Sequence, residues 1–159
     1  MPSTILTHPN DLLRQPALPV DPACFGTDAL RGRLAEMKVL MHEDRGVGLA
    51  ATQLGYSERI IIVDLPKEGP TAFLNPELIL TSPEKIEFEE GCLSVPGVFG
   101  IVLRHRRVTV RAWTADGIIR EINAKDLTAV VFQHEIDHLD GVLFIDKMIR
   151  KTHGGSVRV

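Results

Sequence analysis

Apolar positions recur along this chain with two periods, and the change from one to the other marks out its elements. Leu30, Leu34, Met37 and Met41 follow one another at steps of four, three and four, the stripe of an amphipathic helix. Thr27 or Asp28 ahead of the stripe is a side chain that can cap the first free N–H groups, and the helix is expected to end before Gly46. A second stripe, Leu127, Val130, Val131, His134 and His138, predicts a helix from near Asp126 that Gly141 stops. Its two histidines continue an apolar face, so they are expected to be half-buried. Between the helices the pattern shortens. Arg59 to Asp64, Thr71 to Asn75, Leu78 to Thr81 and Lys85 to Glu89 read as strands divided by Pro and Gly, and Val108 to Trp113 and Ile118 to Ala124 flank Asp116-Gly117, a hairpin signal. Antiparallel pairing is expected of such short connections. Val142 to Ile145 reads as a short closing apolar segment.

Ahead of the first helix, Pro9, Pro16, Pro19 and Pro22 deny the chain a continuous helix or a central strand, so this segment is read as an extended arm laid over the body. Residues 151–159 read as a short, flexible tail, and 1–150 as one catalytic domain. A chain of 159 residues, 44% of them hydrophobic, can bury one core and is short for two. A net charge of -3 gives no general attraction to nucleic acid or to an anionic membrane. The densest basic run, Arg104 to Arg107, is read as a solvated strand end leading into Val108. No window has the apolar length of a membrane span, and Met1 to Leu6 lacks a basic start followed by an apolar run, so a cytoplasmic protein is expected. Two distant cysteines, Cys24 and Cys92, suggest no disulfide framework. Cys24 reads as structural.

Three segments carry candidate chemistry. In His134-Glu135-Ile136-Asp137-His138, residues four apart project from one helix face, so both imidazoles can reach one metal ion while Glu135 lies to the side, where a reacting water can be touched. Catalytic metals of this kind take a third protein ligand. His8, His42, His105 and His153 have no supporting context. Cys92 lies in the tight segment Glu90-Gly91-Cys92-Leu93-Ser94-Val95-Pro96-Gly97 and, taken alone, reads as a small buried thiol. The third segment, Gly46-Val47-Gly48-Leu49-Ala50-Ala51-Thr52-Gln53, permits close backbone approach but lacks the lysine of a phosphate loop and the spacing of a dinucleotide fingerprint.

Together and in this order, the three segments match GxGLAAxQ, EGCLS and HExxH, and the chain resembles the peptide deformylase family from Ile5-Leu6-Thr7 to Leu143-Phe144-Ile145-Asp146. The resemblance implies a single-domain α+β fold with mostly antiparallel sheets around the HExxH helix. It implies metal ligation by Cys92, His134 and His138, and Glu135 as the general acid and base. The side-chain amide of Gln53 and the backbone N–H of Leu93 would face the developing oxyanion. Gly48 and Gly91 would hold the peptide backbone, and Val47, Phe88, Leu127, Val130 and Val131 would line a methionine pocket, a reading that competes with packing alone. The implied ion is Fe(II), with Zn, Ni or Co as substitutes, and the implied substrates are formyl-methionyl nascent peptides, met at the ribosome. No nucleic-acid specificity and no membrane partner are expected. By position, Glu90 is expected to pair with Arg104 and steady the Cys92 loop.

Two departures from the family pattern stand out. Phe99 occupies a place where many bacterial members carry a polar residue, and little chain follows Asp146 to form the terminal helix of longer members. Two rival readings are a zinc endopeptidase, for which HExxH is equally suited, and a non-catalytic metal-binding scaffold. The first takes its third ligand downstream, and the second is expected to have lost catalytic residues that are intact here.

Overall fold

In the computed structural model, which describes residues 3–154 and residue 159, the first stripe becomes α1 (Asp28–Glu43), with Leu30, Leu34, Met37 and Met41 buried. Thr27 is the cap: its hydroxyl accepts the N–H of Leu30. Eight strands follow in the chain, β1 (Gly48–Ala50), β2 (Ile60–Leu65), β3 (Gly69–Thr81), β4 (Lys85–Cys92), β5 (Val95–His105), β6 (Arg107–Trp113), β7 (Ile119–Lys125) and, after α2 (Asp126–Leu139), β8 (Met148–Thr152). They form two antiparallel sheets, ordered β1-β2-β3-β6-β7 and β4-β5-β8. The α+β architecture expected from sequence is the one found.

The apolar run in β2 explains how the layers stack. Ile60 and Ile62 join Leu34, Met37 and Met41 on the α1 side of the larger sheet, while Ile61 and Val63 join Val131 and Phe132 on the α2 side. A strand covered on both faces needs no polar alternation. α2 is buried on every side from Ala129 to Glu135, and it contacts β1 and β2 of one sheet and β5 of the other. A helix enclosed in this way is the centre of the molecule, not a surface helix with one wet face. The expected half-burial of His134 and His138 is therefore corrected: both are fully buried.

Several other expectations need correction. The two strands read at Thr71 to Asn75 and Leu78 to Thr81 are one strand, β3, whose register shifts at Pro76 and again near Leu80, so the proline bends the strand without ending it. β5 was not anticipated, because Pro96-Gly97 reads as a break and a charged residue interrupts its inward face. That residue is Arg104, which is 2% exposed, so the basic run is solvated only from His105 onward; Arg106, two residues on, pairs with Glu84 and Asp126, and Arg107 is exposed. Lys151 and Thr152, assigned to a loose tail, complete β8 against Phe99 and Gly100, and Val159 is buried. The tail expectation for residues 155–158 lies outside the described residues. Cys24 is exposed in a short 3-10 turn and has no place in the core.

The arm read from its prolines is laid across the body as expected. Leu6 N–H donates to the carbonyl of Gln53 (2.7 Å), His8 N–H to that of Ser94 (2.8 Å) and Ala17 N–H to that of Leu139 (2.8 Å). The Asn75 amide accepts from Val20 N–H and donates to Val20 C=O. None of the described helices is long and apolar enough to cross a membrane.

Gly141 ends α2 where the arm crosses it. Its φ is +74°, and a Cβ there would fall 2.3 Å from the backbone oxygen of Arg14. Neither the conformation nor the space suits a side chain, so Gly141→Ala is expected to destabilise the fold by about 2 kcal/mol or more. Urea unfolding checks this: the midpoint should fall with an unchanged slope.

Candidate metal centre

α2 supplies two donors because its turn sets residues 134 and 138 on one face, with ring centroids 5.0 Å apart. The third comes from the end of β4, where a bulge between Gly91 and Cys92 turns the chain toward the helix. Donor atoms of Cys92, His134 and His138 lie within 4.8 Å of one another, and all three residues are buried. The Cys92 sulfur is 3.3 Å from Nε2 of His138. Beside them, Gln53 receives the N–H of Ala50 on its side-chain oxygen (2.8 Å) and directs its amide nitrogen to the Ser94 hydroxyl (3.0 Å), 3.8 Å from the Cys92 sulfur.

The expected Glu90–Arg104 pair is present and reaches further than anticipated. Arg104 donates from Nε and Nη2 to both oxygens of Glu90 (2.7 and 2.9 Å) and from Nη1 to Asp137 (2.6 Å). Glu90 also bonds Nδ1 of His134 at 2.7 Å. That bond leaves Nε2 of His134 as the free donor, the arrangement by which a carboxylate orients a metal-binding imidazole. Phe144 stacks on the same ring at 6.1 Å.

The charges follow from burial and partners. Burial by itself would raise the Glu90 carboxyl, but the bonds from Arg104 and His134 outweigh it and hold the group at about 2. Glu135 has no such partner, and burial, reinforced by the charge of Glu90, pushes it well above the usual carboxylate range. Burial, His134 and Arg104 depress His138, which keeps its ring neutral. Burial and Glu135 also raise the Cys92 thiol, a balance that a divalent cation reverses, because a coordinating thiol is deprotonated.

The donor set fits such a cation. Nε2 of His134 and both carboxylate oxygens of Glu135 are buried without a hydrogen-bond partner among the described residues, and His138 turns Nε2 to the Cys92 sulfur. Unpaired buried polar atoms are costly, and their concentration at one Cys/His/His cluster is accounted for by a metal and the molecules it gathers.

β1 ends the larger sheet and β4 the smaller, and each brings a residue to this cluster, Gly48 and Cys92. Gly48 of β1 lies against Glu135 and Val131, so closely that a Cβ would be 2.7 Å from the carboxylate. Gly46 is similarly close to the Leu93 side chain. Gly91, Leu93, Val130 and Val131 are buried, Val47 and Phe88 partly so. Leu127, two helical turns before His134, instead borders a surface hollow with Leu65 and Ile122 and is 36% exposed. Sequence reading missed Ser94, Asp137 and Phe144, each of which touches a proposed functional residue. Asp137 lies inside the HExxH segment, but spacing gives no sign that it meets Arg104.

Comparison with known proteins agrees with this architecture. The model of the polypeptide deformylase family matches residues 2–153. A peptide deformylase of Hyphomonas neptunium is 44% identical over 150 residues, covering 92% of this chain and 84% of that one. The Thermotoga maritima peptide deformylase superposes with a TM-score of 0.88 at 37% identity, covering 94% and 99% of the two chains. A class I type b peptide deformylase of Acinetobacter baumannii, solved with Met-Ala-Ser bound, gives 0.89 at 34% identity, covering 93% and 99%. With its fold, its three motifs and its Cys/His/His cluster in agreement, the chain belongs to the polypeptide deformylase family of hydrolases.

Proposed function

We propose that the protein removes the formyl group from formyl-methionine at the start of nascent peptides, in the cytoplasm, using one Fe(II) held by Cys92, His134 and His138. Zn, Ni and Co are substitutes that the same donors can take. The observation that carries the reading is the convergence of these three donors beside a buried carboxyl, Glu135, that has no partner of its own. The catalytic domain is residues 1–150 together with the end of β8.

When bound, the cation lowers the pKa of a water molecule toward neutrality and polarises the formyl oxygen. Glu135 takes a proton from the attacking water as the oxygen bonds to the formyl carbon. It returns that proton to the departing nitrogen as the C–N bond breaks, giving formate and a free amine. A carboxyl pushed upward by burial is suited to carrying a proton in this way. The Gln53 amide, held through Ala50 and Ser94, points its second N–H at the Cys92 sulfur, and from there, with the N–H of Leu93, it stabilises the oxyanion. Gly48 and Gly91 admit the peptide backbone between the two sheet edges. Val47, Phe88, Val130 and Val131 line an apolar slot for methionine, while Leu127 faces the separate hollow beside Leu65 and Ile122. The Met-Ala-Ser found in the Acinetobacter baumannii relative supports a substrate of this kind.

The test is formate release from formyl-Met-Ala-Ser by anaerobically purified, Fe(II)- or Ni(II)-loaded protein. Glu135→Ala is expected to lower kcat by about a hundred- to ten-thousandfold while metal content is unchanged. Metal binding without formate release by the unaltered protein would refute the reading, as would cleavage of a blocked internal peptide in its place. Arg104 acts through Glu90 on His134, so Arg104→Ala is expected to weaken metal binding by about ten- to a hundredfold, measured by competition with a chromophoric chelator. Unchanged affinity would remove Arg104 from the positioning of the site.

A further inference from the structure

Val159 makes a contact that packing of the core does not require. Its side chain has no exposed surface and joins the continuous apolar cluster that includes Val131 and Val47. Its backbone N–H donates to the carbonyl of Gly91 at 3.0 Å. Gly91 immediately precedes Cys92 on β4, the edge strand of the smaller sheet. An extended peptide binds a free sheet edge through main-chain bonds of this type, with side chains entering pockets beside it. A single segment of this chain thus makes both kinds of contact that a substrate would make there.

A second observation brings the same segment to the site independently. Thr152 of β8 pairs with Phe99 of β5, and Phe99 pairs with Gly91. The Phe99 ring is held between two glycines: a Cβ on Gly91 would lie 2.5 Å from it and a Cβ on Gly154 2.7 Å. The chain beyond β8 is therefore anchored, at Gly154, against the ring that also supports the floor of the Gly91 segment.

We infer that Val159 occupies the apolar slot that receives the substrate's first side chain, making it a competitive occupant of the cleft. The inference rests on the deformylase reading of that cleft. Valine is shorter than methionine and fills the slot incompletely, so a formyl-methionyl peptide displaces it. A tethered occupant of low intrinsic affinity still competes, because its effective concentration is in the millimolar range. Only the open fraction of molecules binds substrate, which raises the apparent KM and leaves kcat unaltered.

The experiment compares Ni(II)-loaded protein with its Val159→Asp and Val159→Met variants on formyl-Met-Ala-Ser. A carboxylate is excluded from an apolar slot, so Val159→Asp is expected to lower KM by about two- to tenfold at constant kcat. Val159→Met, a better occupant, is expected to raise KM. Amide hydrogen exchange supplies a reading that needs no turnover: the N–H of Val159 should be protected in the free holoenzyme and become exchangeable when Met-Ala-Ser saturates the site. A KM that rises or stays constant in Val159→Asp, or protection that persists with Met-Ala-Ser bound, would make Val159 a wall of the pocket and overturn the inference. Absence of formate release by the unaltered protein would instead refute the deformylase reading itself.

Discussion

The carboxylate of Glu90 has no exposed surface and is shared between two partners, the guanidinium of Arg104 and the ring of His134. Burying a carboxylate and a guanidinium costs several kcal/mol each, and only close, two-pronged pairing with every oxygen used offsets it. Here the fork of Arg104 meets both oxygens, a third N–H goes to Asp137, and the remaining capacity of Glu90 goes to the imidazole. Removing Arg104 or Glu90 would leave the other buried and charged without its two-pronged partner. β4, β5 and α2 are thereby held in a single relative position, and with them Cys92, His134 and His138. The metal-binding geometry depends on a network that contains no metal ligand except His134.

That network also explains why the centre of the fold can be so polar. α2 carries two imidazoles and a carboxyl through the middle of the molecule, surrounded by apolar side chains from both sheets. Glu90 is charged because it is paired, and Glu135, a short distance away on the helix, is pushed toward its neutral form because it is not. Two carboxyl groups in one buried site thus sit in opposite electrostatic states, the first fit for orienting a ring and the second for carrying a proton.

Free sheet edges are usually shielded from pairing with other chains. β1 and β4 are the edge strands of the two sheets, and each carries a residue of the candidate site, Gly48 and Cys92. The arm before α1 supports the arrangement from outside, since Leu6 and His8 bond the carbonyls of Gln53 and Ser94, one from each of the loops that flank the cluster. Its prolines keep it extended and so able to reach both. Val159 at Gly91 uses the same edge from within the chain.

Much of this was legible before any coordinates. Both helices, the hairpin around Asp116-Gly117 and most strands follow from local periodicity and turn chemistry, because residues a few positions apart dictate them. The candidates Cys92, His134 and His138, which the structure brings together, were legible too, because HExxH and EGCLS each place them within a short stretch. Contacts across the chain were not. Arg104 reads as one of four basic residues at a surface, and only the pairing of β4 with β5 turns it inward to Glu90. The histidines read as half-buried because a stripe shows one face, whereas enclosure of α2 needs two sheets separated in sequence. Pro96-Gly97 hid β5, and nothing local indicated that Val159 returns to Gly91. The sequence alone determined which groups carry the chemistry; the tertiary structure decided their charge, orientation and access, since those depend on neighbours that chain order does not record.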